Sequence, residues 1–176
     1  MGCLSAMALL MGGVPSSAVG ARAAGGAASS CGGGWVWPLG RPQVAAAYDP
    51  PDKPWLAGHR GVDLKAAEGD VIRAPSDGVV RFSGSVGGKA VVSIDHGGLV
   101  SSFEPARTDL AVGEHVRRGE SFARIEGTSD HCDGACLHWG VKRGGAATGA
   151  DSPRASYLDP QSRIGGHRMG LKPVLE

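Results

Sequence analysis

The chain has 176 residues, with 18 Lys and Arg against 17 Asp and Glu, giving a formal net charge of +1. Its 30 glycines, 11 prolines and 5% aromatic content leave little unbroken sequence for a bundle of long helices, whereas 41% hydrophobic residues suffice for one packed core. The balanced charge makes no electrostatic case for a nucleic-acid partner, and the length holds one domain with a short appendage.

In chain order, the first segment is an apolar stretch from Leu4 to Val19, broken by Gly12, Gly13 and Pro15 and followed by small residues through Ala28. That pattern predicts a secretory signal over residues 1–23, cut near Ala21-Arg22-Ala23, although no Lys or Arg precedes the apolar core. It is too short and broken to span a membrane, which takes about 20 apolar residues. Residues 24–34 are almost all Ala, Gly and Ser and read as a flexible linker. Cys31 follows Ala28-Ser29-Ser30, which suggests a lipoprotein site but lacks a large aliphatic residue three positions earlier. Lipidation is therefore the minor reading and secretion the major one.

From residue 35 to residue 160 the chain reads as short β-type runs parted by turn signals. They are Val71–Ala74, Val79–Ser83, Ala90–Asp95, Leu99–Glu104, Ser121–Ile125 and Leu137–Lys142. Runs of this length at such spacing predict an all-β domain, an antiparallel β-sandwich or open barrel with a groove. Val86-Gly87-Gly88-Lys89 is the expected hairpin connection. Glu68-Gly69-Asp70-Val71 is echoed by Val112-Gly113-Glu114-His115, suggesting two similar hairpin units folded face to face. Residues 161–176 are expected to form a loosely attached tail.

Three residues offer a donor set for a metal. His59 and Asp63 are four apart in a Gly-flanked stretch, and His138 stands mid-strand in Cys136-Leu137-His138-Trp139. Alternation puts Cys136 and His138 on one face, with Leu137 and Trp139 toward the core. Two imidazole nitrogens and one carboxylate oxygen match a catalytic zinc site, which takes three protein ligands and keeps a position for water. Unrelated surface histidines are the competing reading. Cys132 and Cys136 close a small disulfide loop in an oxidising compartment, or ligate metal in a reducing one.

Four motifs sharpen the choice. Gly58-His59-Arg60-Gly61-Val62-Asp63-Leu64, Ala74-Pro75-Ser76-Asp77-Gly78-Val79-Val80, Val92-Ser93-Ile94-Asp95-His96-Gly97-Gly98 and Leu137-His138-Trp139-Gly140-Val141 occur in that order. Together they resemble the lysostaphin-type zinc metallopeptidases, bacterial enzymes that cut peptide bonds of cell-wall peptidoglycan. The resemblance spans roughly residues 35–160. It implies a β core with a groove, Zn2+ held by His59, Asp63 and His138, peptidoglycan as partner, and a secreted or cell-envelope location that agrees with the export signal.

Two positions depart from the family pattern. A second histidine usually stands two before the last ligand, where this chain has Cys136, and another catalytic histidine usually falls where it has Pro105. Neither proline nor a disulfide-bonded cysteine transfers a proton. Glu104 and His131 are the candidate substitutes, although simple alternation puts Glu104 on the face opposite Pro105, so that it reaches the metal only through a bulge. His96 is expected to be structural, and His115 and His167 carry no signal. The sequence thus supports a zinc metalloendopeptidase, with an impaired zinc-binding homologue that binds peptidoglycan or regulates a wall hydrolase as the alternative.

Overall fold

The structure, a computed structural model, describes residues 34–53, 55–130, 132, 136–143 and 156–165. The expected export signal, the linker up to residue 33 with Cys31, His131 and residues 166–176 lie outside the described residues.

The domain is all-β. Ten strands run as β1 Val44–Ala46, β2 Gly61–Lys65, β3 Val71–Arg73, β4 Gly78–Val86, β5 Lys89–Asp95, β6 Leu99–Glu104, β7 His115–Val116, β8 Ser121–Arg124, β9 Cys136–Arg143 and β10 Tyr157–Leu158. An antiparallel sheet has the order β1-β2-β9-β6-β5-β4-β7, with β10 also pairing to β9, and β3 pairs β8 in a separate two-stranded sheet. The β-type runs of the sequence all fall within these strands or within a residue of their ends. Gly87 and Gly88 do join β4 to β5.

The core lies between the two sheets. Val62, Leu64, Val80, Val92, Ile94, Phe103, Leu137, Trp139 and Val141 of the large sheet pack with Ile72 and Phe122 of the small one. Phe103 and Phe122 meet edge-on at 5.0 Å between ring centroids. Trp139 is fully buried, with Trp35 and Trp37 rings 6.3 and 6.1 Å away. Burying such a side chain stabilises by about 3 kcal/mol from area alone, so the strand that carries His138 is also a main contributor to the core.

Two features differ from the sequence reading. The echo between residues 68–73 and 112–119 marks turns, not hairpin units. In each, a glycine at φ +82° (Gly69) or +97° (Gly113) precedes a carboxylate that accepts the backbone N–H three residues back, Asp70 from Ala67 and Glu114 from Ala111, both at 2.8 Å. The strands that follow join different sheets, β3 with β8 and β7 with β4. Residues 161–165 are also held firmly. Asp159 caps the short 3-10 turn Pro160–Arg163, and Ile164 bridges to Trp35, with Trp35 N–H bonded to Arg163 O at 2.9 Å and Gly165 N–H to Trp35 O at 3.2 Å. An apolar Ile164 that packs on the core explains why this part of the tail is not loose.

His96 is built into this frame. Its neutral ring donates from Nδ1 to Asp77 O at 2.9 Å and accepts at Nε2 from Ser101 Oγ at 3.0 Å, while Trp35 packs on it at 4.7 Å. Burial pushes its pKa below the ordinary imidazole value, against the carbonyl of Asp77. The unfolded chain therefore binds a proton that the native state refuses, and stability falls as pH drops below roughly 6.5 toward the lower folded value. We expect His96→Gln to flatten that part of the curve. Denaturant unfolding of both proteins at pH 7.5 and at pH 5.5 checks it, and equal pH slopes would contradict it.

Candidate metal centre

Each donor of the expected trio is placed by strand pairing. Asp63 and His138 are directly opposed partners in the β2–β9 ladder. His59 precedes β2 and is anchored by reciprocal backbone bonds with Asp49, at 2.7 and 3.0 Å. The alternation of β2 sends Val62 and Leu64 into the core and leaves Gly61, Asp63 and Lys65 on the other face.

The donor atoms converge. His59 Nε2 lies 3.1 Å from Asp63 Oδ1 and 3.2 Å from His138 Nδ1, and His138 Nδ1 lies 2.8 Å from Asp63 Oδ1. Ligands at zinc's usual 2.0–2.1 Å in tetrahedral array stand roughly 3.3 Å apart. The three observed edges are close to one face of such a tetrahedron. His59 Nδ1 lies 2.6 Å from Ala47 O and donates to it, which fixes the tautomer and leaves the Nε2 lone pair facing the other two groups. This donor set fits zinc: two nitrogens and one carboxylate, with the Ala47 carbonyl behind the His59 imidazole.

Asp63 is 1% exposed. Burial by itself would raise its pKa, but hydrogen bonds and charge from His138, and then from His59, hold the carboxyl below its ordinary value. The carboxylate is thus kept ionised, the form in which it ligates. Gly61 is a requirement of the same geometry. A Cβ there would stand 2.8 Å from His138 Nε2 and Cε1 and 2.5 Å from Trp139 O, so the ring lies over bare backbone.

The register corrects the placement of Glu104. β6 pairs β9 with Phe103 opposite Trp139 and Glu104 opposite His138. Glu104 therefore shares the face of His138 without any bulge, and Pro105 is buried. Lys89 Nζ bridges Glu104 Oε1 at 3.3 Å and Asp130 Oδ2 at 2.6 Å. The hydrogen bond to Asp130 raises the Lys89 pKa, and Glu104 adds to it. Cys136 is 2% exposed and its sulfur is bonded to that of Cys132. The structure thus brings together His59, Asp63 and His138, sets Glu104 beside His138, and places the disulfide two residues before His138 on the same strand. Three participants have no sequence signal of their own: Ala47, which acts through its carbonyl; Lys89, whose pairing depends on the fold; and Gly61, one of many glycines.

Comparison with known proteins decides the family. The model of Peptidase family M23 matches residues 57–150, more than half of the chain. The chain belongs to peptidase family M23. Among relatives, it is 35% identical over 141 residues to the uncharacterized protein Rv2891 of Mycobacterium tuberculosis, a match that covers 78% of this chain and 54% of the relative. The chain thus spans about half the length of the curated relatives it matches. Among solved structures, the catalytic domain of the antimicrobial peptidase lysostaphin from Staphylococcus simulans superposes with a TM-score of 0.55 at 18% identity, over 69% of this chain and 90% of that one. A zinc containing peptidase from Vibrio cholerae gives 0.50 at 20% identity, over 61% and 36%. These likenesses show that the M23 fold is shared.

Gly61→Ala should push the His138 ring off its seat and weaken zinc binding by about 10- to 100-fold, the usual cost of disturbing a ligand's support. Competition with a chromophoric chelator reads this directly. Unchanged affinity in a folded variant would show that Gly61 does not set the ring.

Proposed function

We propose that this protein is an exported zinc metalloendopeptidase acting on peptide bonds of bacterial peptidoglycan. The observation that carries the reading is the convergence of His59 Nε2, Asp63 Oδ1 and His138 Nδ1 in a chain of the M23 family. His59, Asp63 and His138 would hold the zinc, with Ala47 O orienting His59. When bound, zinc polarises the scissile carbonyl and lowers the pKa of a water in the open position. Among the described residues, no helix is long and apolar enough to cross a membrane.

The residues of this chain would divide the remaining work. Glu104, beside His138, accepts the proton of the attacking water on its carboxylate and returns it to the leaving amine. Lys89 keeps that carboxylate in place through its contact with Oε1. The disulfide holds the start of β9 and keeps the Cys136 sulfur from serving as a further ligand, so His59, Asp63 and His138 would hold the metal without it. His131, outside the described residues, is the other candidate base.

A second reading has its own support. Cys136 is bonded to Cys132 and Pro105 is buried, so neither replaces the family's usual catalytic histidines. This favours a zinc-binding homologue that binds the wall or regulates a hydrolase.

Amine release from purified peptidoglycan by the oxidised, zinc-loaded protein separates the two. The peptidase reading expects release that is abolished by His138→Ala and by chelation. No release from a folded, zinc-replete protein, with retained co-sedimentation with the wall, would establish the second reading. If the enzyme is active, Glu104→Gln should cost roughly 100- to 10,000-fold in kcat, the usual worth of a general base, with zinc affinity unchanged. A loss below about fivefold would remove Glu104 from the chemistry.

A further inference from the structure

A cationic cleft lies further along the strand that carries Asp63. It has a volume of about 450 Å³, and Arg41, Lys65 and Arg73 line it with Asp70 as its one carboxylate. Asp70 is already engaged, accepting the Ala67 N–H at 2.8 Å. Among the described residues, the side chains of Arg41 and Lys65 make no hydrogen bond or ion pair. Arg73 is oriented by two bonds from one nitrogen, Nη1 to Gly119 O at 3.1 Å and to Ser121 Oγ at 3.2 Å, which leaves the rest of its guanidinium fork unused. A chain with a net charge of only +1 thus gathers three cations about one cleft.

One member of the cleft, Lys65, is tied to the metal centre by register. Lys65 follows Asp63 by two residues on β2 and shares its face, and it stands opposite Cys136 as Asp63 stands opposite His138. At about 3.3 Å of rise per residue, Lys65 lies roughly 7 Å along the strand from Asp63. An extended peptide has the same rise, so a substrate lying along β2 would bring to Lys65 a group about two residues from the bond being cut.

We propose that Arg41, Lys65 and Arg73 form a subsite for a free carboxylate of the peptide substrate, placed about two residues from the scissile bond. The inference rests on the peptidase reading for its substrate class. An arginine fork matches a carboxylate in two parallel hydrogen bonds, and the two unpartnered cations supply charge without having to leave other partners. The subsite would make the protein select stem peptides that end in a free acid over amidated ones.

Calorimetric titration of the oxidised, zinc-loaded full chain tests this with two probes: a soluble wall-derived stem tetrapeptide with a free C-terminal carboxylate, and its C-terminal amide. We expect the acid to bind about tenfold more tightly at low ionic strength, with the advantage shrinking as salt rises. The double variant Arg41→Met/Lys65→Met, which removes side chains that hold nothing else in place, should bind the two peptides alike. Arg117→Met, outside the cleft, should keep the preference. Equal affinity of the wild type for both peptides, or a preference surviving in the double variant, would overturn the subsite. Inorganic phosphate binding more tightly than the acid peptide, and lost in the double variant, would assign the cleft to a phosphate polymer and overturn the carboxylate. None of these readouts needs turnover, so a wild type that discriminates yet releases no amines retires the peptidase and leaves the subsite standing.

Discussion

Everything at the metal centre depends on one buried carboxylate. Asp63 is 1% exposed, and an ionised carboxyl at that depth is tolerated only with partners that satisfy its oxygens. The β2–β9 ladder supplies one partner by setting His138 directly across from it, and the bridge to Asp49 sets the other, His59. The same ladder places Trp139 in the core, so the register that makes the centre is also the register that packs the protein. A slip of one residue would expose Trp139 and bury His138. Core and centre therefore specify each other.

How much of this was legible in sequence follows from the range of each interaction. Strand runs, the Gly87-Gly88 hairpin and the four-residue spacing of His59 and Asp63 are local, and local pattern sufficed. The face of Glu104 was not legible. Alternation within β6 gives a face only relative to its neighbours; which strand it meets, and in what register, is decided by pairing with β9 more than 30 residues later. The repeated Gly-carboxylate segments misled for the opposite reason. Their similarity is real but short-range, a turn closed by its own side chain, and it says nothing about where the following strand goes. Ile164 shows a third limit: one apolar residue in a polar tail is enough to dock it when Trp35 offers a surface.

The wall of the site beside Glu104 is assembled from two different tethers. Lys89 joins β5 to Glu104 on β6 and to Asp130, while the disulfide closes a five-residue loop onto the start of β9. Asp130 is 76% exposed, so its pairing is open to screening by salt. The covalent link is not, and closing so short a loop restricts the unfolded chain by roughly 2 kcal/mol in the chain-entropy account. The segment between β8 and β9 is therefore held by a bond that responds to reductant and a contact that responds to ionic strength. Where the family pattern puts a catalytic histidine two residues before the last ligand, this chain has used the position to fix structure.

That substitution changes what the intact trio can be taken to mean. Three retained ligands look like retained function, yet removing one partner of a buried charge costs about 3–5 kcal/mol, a large share of a small domain's stability. His59 and His138 would resist loss on that ground even in a protein that cut nothing, because Asp63 would be stranded without them. The trio argues for a metal and for a fold, and argues for turnover only weakly. The informative residues are those the fold does not need. Glu104 sits on the face of His138 with a cation holding it, although an uncharged residue would pack there at less cost in desolvation. Arg41 and Lys65 line a cleft in which, among the described residues, their side chains make no hydrogen bond or ion pair. Lys65 shares the face of Asp63, so a ligand held in that cleft would extend toward the metal centre.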